Sequence, residues 1–212
     1  MHFSFRNTLL LKLLILVYVP LMTACSINNK IQYSSIITNS LQWKNHEKAI
    51  ENITHYQTQG LVIYISDSKK FYVRFKWHQI SPNHYHLSLI NVLGITELQI
   101  EKQGSTVKII DNKGIHYIGN NAEKMIRGLI GINIPLNNLS KWILGLPDHC
   151  AQYYLNQDNR LESFRYNHSN QHWKVYIEHY NNKMIPALPS NIEFIEGNRH
   201  IKLCIDKWDI LK

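Results

Sequence analysis

The chain has 212 residues with 23 Lys and Arg against 15 Asp and Glu, a formal net charge of +8; the length allows one mature domain or two small ones. A hydrophobic fraction of 44% against 18% charged residues excludes wholesale disorder, and three Cys, nine Gly and six Pro exclude a disulfide scaffold or a collagen-like chain. The positive balance permits an anionic lipid or nucleic-acid partner without choosing between them.

Residues 1–24 contain no Asp or Glu, and Arg6 and Lys12 are their only fixed charges. An apolar run from Leu13 to Val19 follows, then Pro20 and the Leu21-Met22-Thr23-Ala24-Cys25 end. A basic start, a short apolar stretch and small residues before a cut are the anatomy of a secretory signal. The run is too short to span a bilayer, which takes about 20 apolar residues. Met22-Thr23-Ala24-Cys25 resembles a bacterial lipobox, in which the Cys becomes the first mature residue and carries the lipid. The alternative is an ordinary signal with a chance Cys. The Ser26 that follows favours, under this resemblance, the outer membrane over retention in the inner one. The reading is a signal over 1–24, a lipid anchor at Cys25 with a polar tether over 25–40, and one domain over 41–212. Removing the signal takes away two basic residues and no acids, so the mature chain stays positive.

A helical pattern is predicted from Leu41 to about Tyr56, with Leu41, Ala49, Ile50, Ile53 and Tyr56 on one stripe. Period-two segments then take over. Phe71, Val73, Phe75 and Trp77 alternate with Lys70, Arg74, Lys76 and His78, which makes the clearest strand. Residues 57–66 are its hairpin partner across Ser66-Asp67-Ser68. Tyr85, Leu87 and Leu89 define the next strand, and 96–103, 106–111 and 114–119 follow between turns. The period switches at Ala122, Met125, Ile126, Leu129 and Ile130, a helix entered from Asn120-Asn121 and ended by Gly131. Pro135 opens a second helix with Leu136, Leu139, Trp142, Ile143 and Leu146 on its stripe. Strands return over 151–156, 160–167, 172–180, 191–196 and 200–208. About eleven strands with one apolar face predict a curled antiparallel sheet or a barrel, over whose open mouth the helical insert is suited to lie.

The chain carries 12 His but no H-E-x-x-H, G-x-S-x-G, Walker or G-x-G-x-x-G motif. His84 and His86 share a strand face, but no third metal ligand is identifiable in sequence, so they read as a polar face. His168 and His172 flank a turn, and His149 adjoins Cys150 in a loop without any sign of a triad. The Gly128-Leu129-Ile130-Gly131 spacing is that of a nucleic-acid loop, but its central residues belong to the helix stripe. Cys150 and Cys204 could pair in an oxidising compartment.

Several stretches, in order, resemble the LolB family of outer-membrane lipoproteins. They are Tyr56-Gln57-Thr58-Gln59-Gly60, Phe75-Lys76-Trp77, Leu93-Gly94-Ile95-Thr96-Glu97-Leu98 and Asp111-Asn112-Lys113-Gly114. Ile134-Pro135-Leu136, Trp142-Ile143-Leu144-Gly145-Leu146-Pro147, Trp173-Lys174-Val175 and Ile201-Lys202-Leu203 with Trp208 continue the set. The resemblance covers essentially the whole chain from Leu41. It implies an unclosed antiparallel β-barrel with a helical lid over an apolar cavity, and a receptor that accepts lipoproteins from the periplasmic carrier LolA. Such a receptor holds their acyl chains and inserts them into outer-membrane phospholipid. It implies no cofactor and no bond-making step; from the residues no metal and no nucleic acid is expected, and the protein is expected to act as a monomer.

On this resemblance the cavity wall is expected from Val73, Phe75, Trp77, Leu87, Leu89, Trp173 and Val175, and the lid underside from Met125, Ile126, Leu129, Trp142, Ile143 and Leu146. Each residue taken singly also reads as ordinary core. The family's protruding loop, whose apolar residue promotes membrane insertion, maps onto Val92, Leu93 and Gly94. Leu93 takes the apolar place, and Val92 stands where the family pattern has Pro. Packing of Leu93 into the core at a strand end is the alternative. Three other functions stay open from the residues alone: a module for another apolar ligand without hand-over, a secreted enzyme using His84 or His149, and an envelope scaffold.

Overall fold

The computed structural model of the protein describes residues 40–147, 152–168 and 171–211. The expected signal, the Cys25 anchor and the tether to residue 39 lie outside the described residues. So do His149 and Cys150, and with them the expected Cys150–Cys204 pair.

Helix α1 (Leu41–Glu51) opens at Ser40, whose hydroxyl accepts from the Trp43 amide at 3.1 Å. That satisfies one of the first-turn N–H groups a helix leaves unpaired. The helix is shorter than its sequence pattern, because Tyr56 is already the first residue of strand β1 (Tyr56–Ile65). Its inward stripe also differs from the expected one. Ile50 is buried as expected, but Leu41 is 70% exposed and Trp43 is buried in its place. The Trp43 indole donates to the Tyr153 hydroxyl at 3.1 Å, which fixes the rotation of the helix.

Five more strands follow: β2 (Lys70–Ser81), β3 (His84–Ile90), β4 (Thr96–Gln103), β5 (Thr106–Asp111) and β6 (His116–Gly119). Helices α2 (Ala122–Ile130) and α3 (Leu136–Trp142) interrupt them. The chain then returns through β7 (Tyr153–Leu155), β8 (Leu161–His168), β9 (Gln171–Asn181), β10 (Leu188–Glu196) and β11 (Arg199–Ile210). The sixth strand starts two residues later than expected, since Asp111 to Ile115 close a tight turn. Asn121 caps α2 by accepting from the Lys124 amide at 2.9 Å, and Gly131 ends it at φ +71°. Pro135 stands at the N-cap of α3.

The eleven described strands form one antiparallel sheet in the order β6-β5-β4-β3-β2-β1-β11-β10-β9-β8-β7. Strands β6 and β7 are its two edges and do not pair with each other, so the sheet is not closed. The first and last long strands meet at its centre, and the β1–β11 ladder joins the N-terminal strands to the C-terminal ones. Alternation puts one set of side chains on the concave face, where the three helices bury their own apolar stripes against it.

Candidate functional site

Cross-strand register sorts the concave face into rows. One runs Phe71–Tyr64–Ile201–Phe194 and the next Val73–Val62–Leu203–Ile192. A third joins Phe75 to Leu89 and Leu98, and a fourth joins Trp77 to Leu87 and Ile100. Between these rows and helices α2 and α3 lies a cavity of about 580 Å³. That is within the roughly 300–1,000 Å³ typical of small-ligand pockets. Val62, Phe71, Val73 and Leu89 line it while remaining partly exposed, as do Leu129, Ile130 and Ile134 on the helical side. Partly exposed apolar side chains facing inward are the sign of a hollow, because a filled core leaves them no accessible surface.

Of the expected wall, Val73, Phe75, Trp77, Leu87 and Leu89 line this cavity, with Ile126, Leu129 and Ile143 on the lid side. The other five residues lie elsewhere. Met125 packs over Gly119 of β6. Leu146 faces a second hollow of about 460 Å³ on the far side of α3, beside Ile50, Tyr56 and Tyr153. Trp142 is fully buried, with ring centroids 5.3 Å from Phe164, 4.9 Å from Tyr166 and 6.0 Å from Phe194. Its indole fills the space above β8 to β10. Trp173 and Val175, on β9 opposite Tyr166 and Phe164, are therefore solid core. The concave face is hollow over β1 to β4 and β11, reaches Phe194 of β10, and is plugged over β8 and β9. Alternation is the same in both halves, so no sequence pattern distinguishes them.

Sequence reasoning passed over Val62 and Tyr64 on β1, Leu98 and Ile100 on β4, and Ile201 and Leu203 on β11. Their signal was present, since each sits at an inward position of a strand already recognised. It also missed the polar rim. Lys69, Glu97, Asp111, Asn112 and Lys113 ring one end of the cavity. Lys69 Nζ donates to the Ile130 carbonyl at 3.1 Å, from the β1–β2 turn to the end of α2. The amides of Ile115 and Lys113 and the Tyr117 hydroxyl all donate to the Asp111 carboxylate. These bonds, led by that from Ile115, hold Asp111 below the usual carboxylate range.

The β3–β4 turn stands at the same end. Val92 is 83% exposed and Leu93 80%, so Leu93 does not pack into the core. Gly94 takes φ +82°, a left-handed conformation that favours glycine. Asn91 Oδ1 accepts from the Leu93 amide at 2.9 Å and the Ile95 amide at 3.0 Å. The turn is thus held by the Asn91 side chain. His84, His86 and His78 lie on the opposite, convex face of the sheet.

A family model described as "Outer membrane lipoprotein LolB" matches residues 54–208. The outer-membrane lipoprotein LolB of Erwinia tasmaniensis is 42% identical over 190 residues, covering 90% of this chain and 91% of that protein. The LolB of Serratia proteamaculans is 45% identical over 171 residues, covering 81% and 83%. Among solved structures, a LolA superfamily protein from Nitrosomonas europaea superposes with a TM-score of 0.55 at 10% identity. It covers 82% of this chain and 95% of that one, a likeness of fold.

Proposed function

The chain belongs to the LolB family of outer-membrane lipoproteins, the receptors of lipoprotein localisation, and from that premise we propose how its residues perform the role. Lipoproteins arrive from a LolA-like periplasmic carrier. Their acyl chains pass into the cavity under α2 and α3 and then leave into outer-membrane phospholipid. The observation that carries this reading is the hollow of about 580 Å³ walled by partly exposed apolar side chains. Acyl chains in water are costly, roughly 0.8 kcal/mol per methylene, so cargo must be shielded at every stage. The wall residues are Val73, Phe75, Trp77, Leu87 and Leu89, with Ile126, Leu129 and Ile143 above them.

Direction requires cargo free energy to fall from carrier to receptor to bilayer. The receptor must hold acyl chains better than the carrier and less well than the membrane. No bond is made or broken, and no cofactor enters. The protein acts as a monomer on the periplasmic face, with residues 1–24 removed, Cys25 lipidated and 25–40 as tether. The turn carrying Val92, Leu93 and Gly94 enters the bilayer first, and burying Leu93 there contributes up to about 1.5–3 kcal/mol.

The test is transfer. A form lacking Cys25, and therefore soluble, is mixed with carrier loaded with a lipoprotein. Cargo is expected to move to the receptor. A folded receptor that takes no cargo from the loaded carrier overturns the reading.

A further inference from the structure

Sequence alone offers His84 and His86 with no third partner. The register supplies one. Glu101 on β4 lies directly opposite His86 on β3, and His78 on β2 lies opposite His86 from the other side. His84 is two residues before His86, so all four side chains emerge on the convex face. We propose that His84, His86 and Glu101 form a binding site for a divalent transition-metal ion of the zinc type.

The geometry is nearly closed. His84 Nε2 lies 3.6 Å and His86 Nε2 3.8 Å from the same Glu101 Oε1. All three ligand atoms lie within 4.8 Å of one another. Tetrahedral coordination with bonds of about 2.0–2.2 Å sets ligand atoms roughly 3.3–3.6 Å apart. Small side-chain rotations therefore bring the three atoms around one ion, with a fourth position open to water.

The polar atoms give a second reason. The Nε2 atoms of His84 and of His78 are shut off from water and have no hydrogen-bond partner. At 3.6 Å the Glu101 carboxylate is too distant to hydrogen-bond the His84 nitrogen, which leaves that shielded ring nitrogen short of a full partner. Coordination satisfies the His84 nitrogen. The His78 ring, centred 6.4 Å from that of His86, stands beside the site. Two imidazoles with one carboxylate suit Zn²⁺ or Ni²⁺ and discriminate against Mg²⁺ and Ca²⁺, which take oxygen ligands.

The position implies a mechanical role. The ion bridges β3 and β4 near the end of their hairpin remote from the exposed Val92-Leu93 turn. It clamps the root of the element whose tip stands at the cavity mouth. This site is independent of the acyl cavity, which lies on the other face of the same strands.

The experiment uses the full-length chain in detergent, without a polyhistidine tag, stripped with chelator and titrated with Zn²⁺ by calorimetry. Wild type is expected to bind one equivalent with a rise in Tm, and Mg²⁺ to give neither. Loss of an outer-shell partner alone lowers metal affinity about 10–100-fold, so His86→Ala and Glu101→Gln should each lower it at least as much. Glu101→Gln keeps the side-chain shape, and its apo Tm should match that of wild type. Absence of a stoichiometric Zn²⁺ site in wild type overturns the proposal. So does binding that survives both substitutions undiminished, which would place the metal on other His residues.

Discussion

Asn91 Nδ2 donates to Glu97 Oε1 at 2.6 Å across the foot of the β3–β4 turn. The second Glu97 oxygen accepts from Asn112 of the next hairpin at 2.7 Å, so one carboxylate ties two neighbouring turns together. Asn91 Oδ1 meanwhile holds the amides of Leu93 and Ile95. Asn91→Ala removes all three bonds. Net hydrogen bonds contribute about 0.5–1.5 kcal/mol each, less where exposed, so a loss of about 1–2 kcal/mol is expected in urea unfolding. Acceptance of cargo should persist while delivery to vesicles slows. Unchanged delivery would separate turn rigidity from insertion.

The turn itself is tested by Leu93→Glu. Leu93 is 80% exposed and touches no core, so the substitution leaves folding intact. A carboxylate at the tip must be desolvated to enter hydrocarbon. Cargo should load from the carrier as in wild type and then fail to reach liposomes. Equal loss of both steps would assign Leu93 to the carrier contact instead.

Lys69 joins the wall to the lid by donating to the Ile130 carbonyl at the end of α2. A cation at a helix C-terminus contributes roughly 0.3–1 kcal/mol. Lys69→Ala is therefore expected to speed release of a fluorescent fatty-acid probe about two- to fivefold, with little change in Tm. A release rate equal to that of wild type would show that α2 does not gate the cavity.

His46 gives a pH dependence. Its Nε2 is buried without a partner, and its ring lies among those of Trp43 and Tyr180. Burial first, and the Arg160 guanidinium second, push its pKa below the ordinary histidine value of about 6.5. The unfolded chain therefore takes up this proton at higher pH than the folded one. The stabilisation is complete above pH 6.5 and is lost as pH falls through the lowered folded value. His46→Phe should flatten the stability profile below pH 6.5 relative to wild type. Parallel profiles for the two proteins would refute the assignment.

The strands were legible because inward and outward residues alternate at Phe71 to Trp77 and at Ile201 to Ile205. The lid helices were legible from local chemistry, with Asn121 at one end of α2 and Gly131 at the other. Long-range facts were not. Trp43 replaces Leu41 on the inward stripe of α1 because of Tyr153, which lies 110 residues away. Trp142 plugs one half of the concave face through rings on β8 and β10, and no period in the sequence encodes which half is filled. The His84–His86–Glu101 cluster depends on strand register in the same way.

The β1–β11 seam is the ladder that joins the two groups of strands, and Gly60 sits at the irregularity within it. The register shifts between Gln59 and Gly60. A Cβ built on Gly60 would lie 2.0 Å from the Cys204 carbonyl oxygen and 2.9 Å from the Ile205 Cα. Both are backbone atoms, so no side chain can swing away, and Gly60→Ala must part the strands. Overpacking costs about 1–3 kcal/mol, and backbone obstruction places this change at the upper end. Gly128 is the matched control. It lies inside α2 with nothing within 4 Å of a built Cβ, so Gly128→Ala should stabilise by about 0.5–1 kcal/mol. Urea unfolding followed by Trp fluorescence reads both, and the two midpoints should move in opposite directions from wild type. A Gly60→Ala protein as stable as wild type would mean that the first and last strands do not meet in this register.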